Sequence, residues 1–303
     1  MRNHTRKNIL NILIIIFLSP FILIFIGDHF YSIGPLYTFG IVDLKDFFMF
    51  WIGVFGVFGV VYNISQNQTR ISQQDKLIDI TNKDRRDSRF AKGVELLSSS
   101  NESTRIGGVY DLYFLVKEFP NDYTYSVFNV LSSHIRSLTS TVAYQNEHKF
   151  QPSTDIQLIL NLLTSDLDKT FKGHTLDLHD SYLAGVNLQN KILNYANLEY
   201  TRFYRSDLTG TQFVHSLLTK TSFEKADLTL ANLSNATIEN STFYHATLKM
   251  TNLSNSYLHG SIFHGARIEK SILKNAKVDI GTLQKQAEYI RDTDLSEVQI
   301  IEQ

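Results

Sequence analysis

Side chains able to do chemistry recur at intervals of twenty in the carboxy-terminal half of the chain: His179, Glu199, Thr219, Glu239, His259 and Asp279. Imidazole and carboxylate are the materials of metal sites and proton relays. If segments twenty residues apart stack at the strand spacing of about 4.8 Å, His259 falls between Glu239 and Asp279. Charge pairing across a solvated face uses the same residues more simply. His245, His259 and His264 lack an HExxH-like spacing. A second column, Asn235, Asn255 and Asn275, reads as a ladder of stacked amides. The chain has no phosphate loop, nucleophile elbow or dinucleotide fingerprint. It also has no cysteine, which removes disulfides, thiolate metal sites and cysteine nucleophiles together. The expectation is a protein that is not an enzyme, with no catalytic residue, no metal and no cofactor.

These columns need a scaffold with a period of twenty. From 178 to 283 an apolar residue falls at every fifth position without a miss, 22 positions in all. Helices and strands have side-chain periods of 3.6 and 2, so a five-residue unit must be one side of a coil. The position two before each centre is small in 18 of the 20 units between Ser181 and Ala276, the exceptions being Val186 and Lys191. A second side chain therefore points inward where room is tight. Phe203, Phe223, Phe243 and Phe263 sit twenty apart, and Phe213 is the one Phe centre outside that column. Four units per turn gives a square coil with one inner column of stacked rings. Five turns at strand spacing make a rod about 25 Å long.

Units such as Ala196-Asn197-Leu198, Ala226-Asp227-Leu228 and Ala231-Asn232-Leu233 resemble the A(D/N)LXX units of the pentapeptide-repeat family. The resemblance implies a right-handed quadrilateral β-helix, a solenoid with a filled interior, over residues 176–281. It does not fix function, because the family's roles are diverse. Some members protect DNA gyrase with a duplex-like acidic surface. Here nine acidic residues face ten basic ones between Leu176 and Ile280, and the whole chain carries a net charge of -1. A rod of balanced charge does not imitate a polyanion, so no nucleic acid partner is expected.

Residues 8–26 are uncharged and almost wholly apolar, long enough to cross a hydrocarbon core of about 30 Å, with a kink expected at Pro20. A second apolar stretch covers about residues 47–64, with Trp51 and Tyr62 as interfacial anchors. Together they predict a two-span transmembrane hairpin over residues 1–64, in contact with the lipid bilayer. Arg2, Arg6 and Lys7 precede it and Arg70, Lys76, Lys83, Arg85, Arg86 and Arg89 follow it, while the loop between offers only Lys45. Both termini should therefore be cytoplasmic. Gly53, Gly56 and Gly59 leave a strip without side chains, of the kind that marks helix contacts in lipid. It would face either the first span or a second copy in a homo-oligomer.

Residues 65–152 read as a cytoplasmic helical module. Its polar first part carries Ile64, Ile71 and Ile78 at intervals of seven, compatible with a single solvated helix or a weak coiled coil. Two apolar-faced helices follow, Arg105 to Phe119 and Asp122 to Leu138, and then a loop over 140–152. Arg89-Phe90 and Arg105-Ile106-Gly107-Gly108-Val109-Tyr110 resemble the segment that joins membrane spans to pentapeptide repeats in bacterial proteins, which implies the bacterial inner membrane. A helix within 153–175 should cover the open end of the rod, because bare strand edges invite unwanted pairing. Residues 282–303 should form a second helical cap and a frayed tail.

Two functional readings follow. One is a non-enzymatic membrane scaffold whose rod offers a flat surface, with Tyr200, Tyr204, Arg205 and Tyr244 exposed, to an unidentified cytoplasmic protein. The other is a two-span effector that oligomerises through the glycine strip and perturbs the bilayer, in the manner of two-span proteins of phage-defence systems.

Overall fold

The computed structural model describes residues 44–165 and 169–278, with parts of the segment 283–300. The first expected span, residues 8–26, and the loop after it lie outside the described residues. The chain divides into two units at Ile78 and Asp79.

In the first unit, helix α1 (Leu44–Leu97) begins, and it runs unbroken through the boundary expected at residue 64. Among the described residues this is the one helix long and apolar enough to cross a membrane. Its most apolar window has a mean hydropathy of 1.4 and is not buried at all.

The second unit opens on the end of α1, which packs with α2 (Glu102–Glu118), α3 (Pro120–Thr139) and α5 (Thr154–Leu163) around Val109, Leu112, Leu131, Ile135, Ile156 and Leu160. The Gly-Gly pair of the Arg105–Tyr110 segment divides its work. A Cβ on Gly108 would lie 2.8 Å from the Gly93 carbonyl oxygen and from Leu96 Cβ, whereas one on Gly107 would meet nothing. Missing side chains at Gly93 and Gly108 thus let α1 and α2 cross backbone to backbone. Asn101 caps α2 by accepting from the Thr104 amide at 3.0 Å, and Pro120 opens α3, where a missing N–H is harmless. The loop expected over 140–152 contains a short helix, α4 (Val142–Glu147), started by the Thr141 side chain accepting from the Tyr144 amide at 3.3 Å. The helix expected in 153–175 ends at Leu163, and a single 3-10 turn (Lys169–Phe171) leads into the rod.

The rod is a parallel β-coil of four sides. One column of bridges runs Asp177, Asn197, Leu217, Thr237, Tyr257, Lys277; the other three start at Tyr182, Asn187 and Ile192, each stepping by twenty. Three strand pieces on this ladder are β1 (Thr247–Lys249), β2 (Arg267–Glu269) and β3 (Lys277–Val278). The sequence unit explains itself locally. The apolar centre is buried. The Asx residue before it accepts the backbone N–H two positions on, as Asp207 does from Thr209 at 3.1 Å and Asp227 from Thr229 at 2.9 Å. The small residue two before the centre is Ala, or a Ser or Thr whose buried hydroxyl needs an acceptor. Thr201, Ser206, Thr211, Thr221, Ser241 and Thr251 each donate to the carbonyl 23 residues earlier, at 2.6 to 2.8 Å. Inside, Phe203, Phe223, Phe243 and Phe263 stack, with successive centroids 5.6, 5.0 and 4.8 Å apart, and Phe213 meets Phe203 edge-on at 6.2 Å.

The carboxy-terminal helical cap is corrected in extent: Leu283 and Gln286 are helical and the Ala287 N–H donates to the Leu283 carbonyl at 3.0 Å, but the expected helix does not run on to Arg291. Tyr289–Arg291 forms strand β4, parallel to β2, and Gln299–Ile300 forms β5, parallel to β3, so pairing with the coil resumes after the helical residues, and the described strands of the tail are paired rather than frayed. The segment has helix-forming residues, but the open edge of the coil offers backbone partners and a buried face. The partner of Arg267 is Tyr289, twenty-two residues on, so two residues are inserted in this turn. After that slip the centres resume at Ile290, Leu295 and Ile300.

Candidate interaction surface

Every fifth residue from Asp180 to Asn275 has a left-handed backbone, with φ between 51° and 69°, at the third position of a β-turn. These turns are the corners of the coil, and their side chains point outward. Sixteen of the twenty are not glycine, and each such residue costs about 1 kcal/mol relative to its ordinary conformation. The coil holds them in place by pairing their amides with the next turn, as in Tyr200 N–H to the Thr219 carbonyl at 3.1 Å and Arg205 N–H to the Glu224 carbonyl at 2.9 Å.

Three of the four residues expected as partner surface share one corner. Tyr204 and Arg205 lie one turn from Glu224 and Lys225, and these one turn from Tyr244 and His245. The Arg205 guanidinium sits 5.1 Å from the Phe150 ring centre and 5.5 Å from that of Tyr204. Lys225 lies 5.2 Å over the same Tyr204 ring and donates to its hydroxyl at 3.4 Å. Hydrogen bonds from Lys225 to Tyr204 and Glu224 hold its ammonium above the ordinary lysine range. Tyr244 continues the corner, with the His264 ring centre 5.7 Å away. Tyr200 stands on the neighbouring corner, under Lys220 at 5.0 Å. Between the two corners runs the face of Tyr182, Arg202, Ser222, Thr242 and Ile262. The four residues therefore border one side of the rod, all partly exposed.

The His259 column gathers into nothing comparable. Glu239 and His259 lie one turn apart, Asp279 is outside the described residues, and no group of His, Asp and Glu able to hold a metal exists among the described residues. Asn275 Nδ2 donates to Asn255 Oδ1 at 3.4 Å, one rung of an amide ladder. A Cβ at Gly53, Gly56 or Gly59 meets nothing within 4 Å.

Two features escaped the sequence. In the helical module Arg105 grips Asp155 with two hydrogen bonds, Nε to Oδ2 at 2.6 Å and Nη2 to Oδ1 at 3.1 Å, while His134 Nε2 lies 3.5 Å from the same carboxylate. Burial alone would raise the Asp155 carboxyl, but the nearby His134 ring and the two hydrogen bonds from Arg105 hold it well below the usual carboxylate range. The other is the choice of side chains by which α5, in the segment expected to cover the open end, meets the first edge of the coil. Gln157 of α5 donates to the Asn187 carbonyl at 2.8 Å and accepts its N–H at 2.9 Å, so one side-chain amide stands in for the strand an earlier turn would have supplied. Thr139 Oγ1 accepts the Tyr182 N–H at 3.2 Å, and Arg136 pairs with Asp177. A hollow of ≈ 270 Å³ beside the 3-10 turn is lined by Lys169, Lys172, His174 and Tyr195 among others.

The family model described as pentapeptide repeats matches residues 177–210, 206–243 and 239–275, with eight copies. Residues 177–275 are pentapeptide repeats. The pentapeptide-repeat coil is similar to solved structures over part of its length. One is a pentapeptide repeat protein from the thylakoid lumen of Arabidopsis thaliana, at 24% identity over 38% of this chain and 78% of that one, with a TM-score of 0.34. Another is QnrB1, a plasmid-mediated fluoroquinolone resistance protein, at 16% identity over 42% of this chain and 76% of that one, with a TM-score of 0.23. A third is HetL of the cyanobacterium Nostoc, involved in heterocyst differentiation regulation, at 20% identity over 41% of this chain and 72% of that one, with a TM-score of 0.20. No curated protein matches the chain.

Proposed function

We propose that this protein is a non-enzymatic scaffold, held in the bacterial inner membrane by two spans, the apolar stretch 8–26 and the apolar part of α1, with both termini cytoplasmic, whose pentapeptide-repeat rod binds another protein along the side bordered by Tyr200, Tyr204, Arg205 and Tyr244. One observation carries this reading: the corner in which Arg205, Tyr204, Lys225 and Phe150 hold one another in place. Aromatic side chains and arginine are the usual anchors of protein interfaces, and anchors already fixed by neighbours lose less freedom on binding. The rod's interior is filled by its own side chains, which leaves the outside to act. In-cell crosslinking of the full chain, followed by membrane fractionation, should recover one partner that Tyr204→Ala with Arg205→Glu loses while the circular dichroism of the rod is unchanged. An identical set of crosslinked proteins from wild type and variant would overturn the reading.

The second reading, an oligomerising membrane effector, draws on the open strip at Gly53, Gly56 and Gly59. It expects growth arrest or dye leakage on overexpression, abolished by Gly56→Leu; harmless overexpression would remove it.

A further inference from the structure

Past its apolar start, α1 carries a seam that nothing in the structure covers. Val60, Ile64, Asn67, Ile71, Gln74 and Ile78 alternate in steps of three and four and so lie along one stripe of the helix. Ile64, Ile71 and Ile78 are 53%, 56% and 56% exposed, although each is a large aliphatic side chain on a stretch rich in polar residues. No charge falls on the stripe, yet Arg70, Asp75, Lys76 and Asp79 lie within the same two turns on either side of it. Leu77, which flanks the stripe, and Ile80, which lies off it, are exposed as well, but a solvated helix gains nothing from an isoleucine at every seventh position.

We propose that this stripe is the seam of a parallel two-stranded coiled coil, and that its occupant is the same helix of a second copy of this chain. The proposal does not depend on the membrane reading, nor on any partner of the rod. With Ile64, Ile71 and Ile78 at position a of the heptad, Asn67 and Gln74 take position d. β-Branched residues at a favour two strands, and amides inside a seam hydrogen-bond across the axis, so they cost stability but fix the register. Orientation follows from charge. In a parallel pair, position g of one helix faces position e of its partner five residues on. Those positions hold Arg70 and Asp75, which are of opposite sign, and the two-fold axis makes the pair twice. An antiparallel pair would set g against g and e against e, and so lose both attractions.

The chain has no cysteine of its own, so a single introduced thiol reports contact cleanly. The full-length protein in detergent should sediment as two chains. Mild oxidation should link Ile64→Cys and Ile71→Cys into disulfide dimers, while Gln73→Cys and Lys76→Cys, on the far side of the helix, stay monomeric. In the Ile71→Cys background Arg70→Glu should lower the linked fraction about fivefold, because each dimer loses two attractive pairs and gains two repulsive ones. Adding Asp75→Arg should restore it. Monomers throughout, equal linking on every side of the helix, a trimer or tetramer, or a double variant no better than the single would each overturn the proposal. Failure of the rod to find a partner would leave it untouched.

Discussion

The helical module and the rod are neighbours in one chain, but they are stabilised in opposite ways. The rod repeats one solution: a centre, a small residue, an Asx turn and a left-handed corner, each bonded to its copies twenty residues away. The module uses contacts that occur once, such as Arg105 with Asp155 at a separation of fifty residues. A repeated design spreads its stability over nearest neighbours, so damage stays local. A core built from single contacts depends on each of them.

That contrast can be broken or sharpened, beginning with the largest effect. Asp155→Ala leaves the Arg105 guanidinium buried without its partner and should cost about 4 kcal/mol, read as a loss of cooperative unfolding of the module by denaturant titration with circular dichroism. The same carboxylate gives a pH signature. Because its folded pKa is depressed, its contribution is present above the unfolded value near 4 and is lost as pH falls. The gap in Tm between wild type and Asp155→Asn should therefore narrow as pH falls from about 5 to 2. Phe243→Ala removes a ring stacked on both sides and should cost about 3 kcal/mol, with hydrogen exchange rising in the adjacent turns and unchanged in the helices. Gly108→Ala forces α2 away from α1 and should cost about 2 kcal/mol, seen as a lower Tm of the module. Smallest and most discriminating is a pair of hydroxyl deletions. Ser241→Ala gives up a bond to the Leu218 carbonyl at 2.6 Å and should cost about 1 kcal/mol. Ser181 occupies the same place in the first turn, where no carbonyl lies 23 residues earlier on the coil, and its buried hydroxyl has no partner. Ser181→Ala should be neutral or slightly stabilising, as comparative thermal melts would show.

What could be read from the sequence follows the same divide. A repeat announces its period through composition, so the β-coil, its register and the Phe203 to Phe263 spacing are visible in the chain. The corners left a signal that the repeat reading did not use: of the twenty left-handed positions ten are Gly, Asn or Asp, the residues that tolerate that backbone best. Beyond 283 the period is masked by a two-residue insertion and by helix-forming residues such as Gln284 to Glu288, so the strands at Tyr289–Arg291 and Gln299–Ile300 read as a helix and a tail. The Arg105–Asp155–His134 cluster left no such signal. Local pattern predicts α2, α3 and α5, but which face of one helix meets which residue of another is set by packing that no periodicity encodes. The four residues bordering one side of the rod were legible as exposed aromatics and arginine, while Phe150, which the Arg205 guanidinium covers, comes from outside the repeats.

The left-handed corners have a further consequence. Since the coil fixes its backbone through amides, Asx turns and inward side chains, the outward position accepts Tyr200, Arg205, Leu230, Met250 or Lys270 with nearly the same φ. Evolution can thus reword what the rod displays without disturbing how it stands, and a molecule laid along it would meet graduations about 4.8 Å apart, as on a ruler whose marks can be relabelled while the stick stays straight.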